Sequence, residues 1–269
     1  MTAALFLCIA IFSVLLYTDC SRKKAEKGEN MFFMLPFLPF LAIYIAAAVL
    51  PAAILLRYIY RTDTVEKEPA GLLLLLLVMG VVAALCSGIL ETLGETMLNA
   101  LVDPGSPVYT ILLAFLVVAL VEEGTKFILL KKTTWYHPAF NYRFDGIVYA
   151  VFVSLGFAAF ENIQYIFHYG LSVALPRALL AIPGHMSFAV CMGLFYGRAK
   201  LCEAYSYRRG MKRNLLTGYL IAVFLHGFYD TCAMIGTPMS TVVFLVFIVL
   251  MYLGVFRLLK RESASDVPV

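Results

Sequence analysis

The sequence predicts an all-α fold, a polytopic transmembrane helix bundle of about eight spans, and two observations carry that prediction. Of its 269 residues, 62% are hydrophobic and 14% charged, with a mean hydropathy of +0.88, whereas soluble domains hold roughly 45–50% apolar and 25% charged residues. The apolar residues also fall in continuous runs instead of alternating with a period of two. That excludes transmembrane strands and leaves helices, whose backbone polar groups are paired within the segment.

A crossing needs about 20 mostly apolar residues, and the runs lie at 2–17, 31–56, 70–90, 108–130, 144–168, 177–197, 213–235 and 238–258. The first is short; it lacks a basic n-region, and Thr18-Asp19-Cys20 has no small-residue cleavage pattern, so it reads as a helix and not a signal peptide. The second run stops at Arg57, Arg61 and Lys67, the fourth at Lys131 and Lys132, with Arg143 opening the fifth. The sixth stops at Arg198 and Lys200, the seventh follows Arg208, Arg209, Lys212 and Arg213, and the eighth ends in Arg257, Lys260 and Arg261. The intervening segments 91–107, 169–176 and 236–238 contain no Lys or Arg. Strict alternation therefore places every basic loop but one inside. The exception is Arg22, Lys23, Lys24 and Lys27, which alternation places outside.

Three parts follow: an extra N-terminal helix and basic loop at 1–30, one transmembrane domain at 31–258, and a short polar tail at 259–269, of which Glu262–Val269 is expected to be disordered. The net charge of +4 is small and scattered, so nucleic acid is not an expected partner. Cys8, Cys20, Cys86, Cys191, Cys202 and Cys232 show no CxxC spacing and read as small buried hydrophobes.

A charge near the bilayer centre costs at least roughly 2.5–3.5 kcal/mol, so intramembrane ionisable groups are functional candidates. In the fourth run, Glu122 and Lys126 share a helix face at i, i+4, while Glu123 points about 100° away, so one carboxylate can brace the helix while the other faces a cavity. The fifth places Phe157 and Glu161 on one face beside the small residues Gly156, Ala158 and Ala159. The sixth carries Pro183-Gly184-His185, and the seventh pairs His226 with Asp230 at i, i+4. Each has a bland reading as a packing ion pair or a hydrogen-bonded core histidine; four consecutive runs each supplying a Glu or a His favour a site. Glu91 and Glu95 read instead as solvated, and His137, His168 and Arg177 as interfacial. Counting about 1.5 Å per residue from the inner ends puts Glu161, His185, His226 and Asp230 roughly 20–27 Å up but Glu122 only about 13 Å, a mismatch within one site.

The ordered set Glu122-Glu123-x-x-Lys126, Phe157-x-x-x-Glu161, His185 and His226-x-x-x-Asp230 resembles the PrsW family of intramembrane proteases, within a superfamily that includes the type II CAAX prenyl endopeptidases and Abi proteins. Asp63 with Glu68-Pro69 resembles the family's early loop motif, and the likeness covers about residues 31–235. It implies that Glu122 and Glu123 are the paired catalytic glutamates, that Glu161, His185, His226 and Asp230 complete the site, and that Lys126 and Phe157 support it. Glu161 stands where the CAAX branch has His, so that branch's glutamate–histidine dyad does not transfer. The last motif in those relatives ends in Asn and is proposed to hold the oxyanion.

Hydrolysis in a membrane needs a base for water and donors for the oxyanion. Alternatively, His185, His226, Asp230 and Glu161 are ligand types that could hold zinc, with Glu122 as base. No HExxH is present, and the sequence selects neither route. The reading is a multi-pass bacterial membrane endopeptidase whose partners are the bilayer and a membrane-anchored protein substrate, by resemblance an anti-sigma factor with a single span. The rivals are a proton- or ion-coupled transporter, against which no inverted repeat is visible, and an inactive Abi-like scaffold, whose polar motifs would be eroded.

Overall fold

The computed structural model describes residues 37–269; the run at 2–17 and the basic loop after it lie outside the described residues. Every named element is helical: α1 (Phe37–Thr62), α2 (Ala70–Leu101), α3 (Pro107–Leu112), α4 (Leu120–Thr134), α5 (Asp145–Tyr169), α6 (Ala174–Pro176), α7 (Ile182–Ala204), α8 (Arg208–Ile235) and α9 (Pro238–Ala264). A π-helical stretch, Leu113–Ala119, joins α3 to α4, and a second, Arg177–Ala181, joins α6 to α7. Two starts show their local cause. Ser106 and Thr237 each accept a hydrogen bond from the backbone N–H three residues on, and Pro at the first helical position follows both.

Six helices among the described residues are long and apolar enough to cross a membrane: Pro39–Thr62, Ala70–Leu101, Asp145–Tyr169, Leu171–Ala204, Arg208–Ile235 and Pro238–Ala264. The predicted run at 108–130 forms the α3–π–α4 rod, interrupted by its π stretch and carrying Glu122, Glu123 and Lys126. The most apolar 18-residue windows of α5 and of the helix ending α7 are 78% and 61% buried, against 11% in α1. Those two helices are therefore the centre of the bundle, and they supply Glu161 and His185. The approach of α2 to α5 depends on two glycines: a Cβ on Gly80 would strike the Val153 carbonyl, and one on Gly156 the Leu77 carbonyl.

The tail is ordered, contrary to the sequence expectation. Helix α9 continues to Ala264, and the last residues then strap the turn before α5. Arg143 N donates to Val267 O and Val269 N to Asn141 O, both at 2.9 Å, while Phe144 N donates to Asp266 Oδ1 at 2.9 Å. Asn141 and Tyr142 donate their N–H groups to Asp145 Oδ2. Buried backbone groups of that turn need partners, and the tail supplies them, a pairing with no local sequence signal. The expectation of buried cysteines holds for Cys232, whereas Cys86 is exposed on α2.

This inner end also buries Asp63, 2% exposed, with Oδ2 lacking a hydrogen-bond partner. Burial pushes its carboxyl up to about 6 against the opposing pull of Lys67, with Asp266 and Glu66 adding to the rise. The folded state thus holds a proton that the unfolded chain releases. The stability contributed is present below about pH 4 and lost as pH rises through about 6. Asp63→Asn, which mimics the protonated form, is expected to stabilise the protein near neutral pH by up to about 3 kcal/mol, two units at about 1.36 kcal/mol each. Thermal unfolding in detergent checks this: the gain should shrink as pH falls toward about 4, and a gain independent of pH would contradict it.

Candidate active site

The π stretch Leu113–Ala119 immediately precedes the turn that carries Glu122, Glu123 and Lys126, a common position for this irregularity next to functional groups. All three side chains are buried, at 5%, 0% and 2% exposure. The Lys126 ammonium donates to Glu122 Oε2 at 3.0 Å and Glu123 Oε1 at 2.8 Å, and stands 3.3 Å from His185 Nδ1. The Phe157 ring lies 3.9 Å from it on another side, a cation–π contact. An ammonium has three donors and no acceptor, so these partners use all of them. Nδ1 of His185 must then accept, which leaves Nε2–H to donate to Glu161 Oε2 at 3.1 Å.

Helix α8 closes the group. His226 Nδ1 is 3.0 Å from Glu123 Oε1 and its Nε2 is 3.3 Å from Asp230 Oδ2. With a carboxylate at each nitrogen, both can donate, the arrangement of an imidazolium. The ring stacks on Phe188 with centroids 4.9 Å apart and meets His185 edge-on at 5.2 Å. The eight candidate site residues, Glu122, Glu123, Lys126, Phe157, Glu161, His185, His226 and Asp230, are thus brought together, while Asp63 and Glu68 of the early motif lie elsewhere. The depth mismatch resolves through unequal helix ends. The end of α7 lies seven residues further from His185 than the end of α4 lies from Glu122, about 10 Å at 1.5 Å per residue, so the α7–α8 hairpin projects further from the site.

A cavity of about 600 Å³ opens beside the group, with Glu91, Glu122, Glu161, His185, His226 and Asp230 in its wall. Glu123 is not in that wall, so of the adjacent pair Glu122 faces the space and Glu123 braces Lys126 and His226. His168 and Arg177 also line the cavity, and both flank the segment 169–176 that carries no Lys or Arg, so the space reaches the end of the bundle that the charge pattern predicts to lie outside.

Two readings are corrected here. Glu91 is not solvated: it lines the cavity and its Oε1 is buried without a partner, whereas Glu95 is exposed as expected. Ser87, one turn earlier on the same face of α2, meets Thr125 Oγ1 at 2.7 Å, so this face of α2 is the one packed toward α4. Arg177 is not a surface residue either; it forms an ion pair with Glu161 at 3.0 Å. The available signal was its isolation, since it is the sole Lys or Arg between Arg143 and Arg198.

Among the described residues, the group whose donor atoms gather within 4.8 Å is Glu122, Glu123, His185 and His226. Glu161 and Asp230, ligand candidates from the sequence, instead partner the other nitrogens of the two histidines. Carboxylate and imidazole are zinc's ligand types, but Lys126 is bonded to three of these four side chains and stands where an ion would draw them together. These four could hold a metal ion; as arranged, the group closes on its own cation, and an ion bound there would have to displace Lys126.

A helical bundle that encloses carboxylates and imidazoles beside a cavity is an architecture suited to a membrane-embedded hydrolase. Residues 68–256 match the family described as PrsW family intramembrane metalloprotease, and the chain belongs to that family. It is 36% identical to Protease PrsW of Geobacillus kaustophilus over 69% of this chain and 77% of that protein. It is 31% identical to Protease PrsW of Bacillus subtilis over 83% and 96%, and 30% identical to that of Oceanobacillus iheyensis over 83% and 97%. No solved structure matches the chain. The protein is a multi-pass bacterial membrane protease, and neither the transporter nor the inactive-scaffold reading is favoured.

Proposed function

We propose that the protein cleaves a single-span, membrane-anchored protein of the anti-sigma-factor type near the outer face, with Glu122 as the base that activates water. The observation that carries this reading is the division of labour in the pair: Glu122 lines the cavity while Glu123 is wholly buried and held by Lys126 and His226. A water in the cavity gives its proton to Glu122 as its oxygen attacks the scissile carbonyl. The charge that develops on the carbonyl oxygen is met by the field of Lys126 and His226, fixed in place before reaction begins. Glu122 then passes the proton to the departing amine nitrogen. His185, held at both ring nitrogens by Lys126 and Glu161, lines the cavity beside Glu122 and fixes its shape there.

A metal is what the family's description suggests, and binding of zinc by Glu122, Glu123, His185 and His226 would require Lys126 to leave. The expected result with purified protein in nanodiscs and a tagged single-span anti-sigma factor is therefore cleavage that persists in a strong chelator and gains nothing from added zinc. Loss in the chelator with recovery on zinc would overturn the metal-free route. No cleavage of any single-span membrane protein co-expressed from the source genome would overturn the substrate class.

A further inference from the structure

Arg177 stands apart in the charge pattern: the outer loop segments hold no Lys or Arg, and a guanidinium kept in that zone needs a partner that repays its desolvation. The structure supplies three partners from a single stretch of α5. Arg177 Nη2 lies 3.0 Å from Glu161 Oε2, its Nε donates to Asn162 Oδ1 at 2.8 Å, and the guanidinium lies 3.7 Å from the centre of the Tyr165 ring. Asn162 is itself anchored, donating its amide to Ala48 O of α1 at 2.8 Å, and is fully buried. The frame behind the guanidinium is therefore fixed by two further helices.

Glu161 Oε2 is the oxygen that also meets His185 Nε2, at 3.1 Å. One oxygen is thus shared by Arg177 and His185, and the chain of contacts runs from Arg177 through Glu161, His185 and Lys126 to Glu122. The π-helical stretch that begins at Arg177 sits between Pro176 and α7, a local irregularity of the kind that accompanies functional groups. We infer that Arg177 is a positioning residue: it aims Glu161 at His185 and so fixes the wall of the cavity beside Glu122. This rests on the proposed role of Glu161 and His185 in cleavage. Arginine is the residue suited to the task, because a planar fork can pair with a carboxylate, donate to an amide oxygen and stack on an aromatic ring at once, which an ammonium cannot.

The test uses the full-length protein in nanodiscs with the same tagged single-span substrate. Arg177→Ala is expected to lower kcat about 30- to 100-fold while KM moves less than about threefold. Arg177→Lys should recover only part of that loss. Guanidinium ion added to Arg177→Ala should restore rate by about tenfold through the open cavity, where methylammonium restores less. Should the Ala variant fail to accumulate, Arg177→Lys carries the test, since its charge is kept and its kcat should still fall. Wild-type kcat in both variants, a rise in KM alone, or no discrimination between the two added cations would overturn the inference. A fully active Glu161→Gln variant would instead overturn the reading of the site itself, and a slow Glu161→Gln beside unaffected Arg177 variants would sink only the positioning role.

Discussion

Glu122→Gln is expected to lower kcat by about 10³-fold, within the range that a general base contributes, while the protein still accumulates and folds. Both halves follow from position. Glu122 is the member of the pair that lines the cavity, so the amide leaves nothing there to take a proton from water. Its neighbourhood, however, still accepts an amide: Gln retains a carbonyl oxygen for the Lys126 donor that Glu122 Oε2 now receives at 3.0 Å. Lys126 keeps a charged partner in Glu123 at 2.8 Å, so no buried cation is left without an anion. The informative comparison is Glu91→Gln on the facing helix. Glu91 also lines the cavity but touches none of the cations, and it should cost far less rate. Substrate cleavage at matched membrane levels decides the point. An active Glu122→Gln would remove the proposed base, and equal losses at Glu91 and Glu122 would remove the distinction between them.

How much of this was legible beforehand depends on the range of the interaction. Apolar runs are local, so the spans appeared in the right order, though α2 continues eleven residues past the apolar run to Leu101, and the i, i+4 spacings announced Glu122 with Lys126, Phe157 with Glu161, and His226 with Asp230. The sharing of labour within Glu122-Glu123 was half visible, because adjacent helical residues diverge by about 100°. Which of the two meets the cavity depends on α2 and α8, and those contacts have no local signature. Glu91 belongs with it: a glutamate near the end of an apolar run looks solvated until the Ser87–Thr125 contact shows which face of α2 meets α4. The ligand grouping also failed to show in the sequence, since each histidine has two nitrogens and only tertiary packing decides which one meets Lys126 or Glu123 and which meets Glu161 or Asp230. Charge counting, by contrast, held more than was taken from it. A lone Arg177 on the side that otherwise lacks basic residues was already an anomaly.

Lys126→Met should have the largest effect on stability. The substitution keeps length and apolar volume over the Phe157 ring, where the ammonium now sits at 3.9 Å, so packing alone is not the issue. It leaves Glu122 and Glu123, 5% and 0% exposed, without the cation they share. Removing one partner of a buried ion pair costs about 3–5 kcal/mol, a large part of the roughly 5–15 kcal/mol that holds a protein folded. The variant should therefore accumulate poorly in the membrane and unfold at a clearly lower temperature. His226 separates this from a simple packing defect, because it still faces Glu123 at 3.0 Å but lies 4.0 Å from Glu122. The carboxylate stranded by the loss of Lys126 is Glu122, so adding Glu122→Gln to Lys126→Met should recover most of the lost stability without recovering cleavage. A single Lys126→Met variant that melts like the wild type would show that the buried carboxylates do not depend on Lys126. Failure of the second substitution to restore folding would mean that the ammonium serves the His185 contact more than the glutamates.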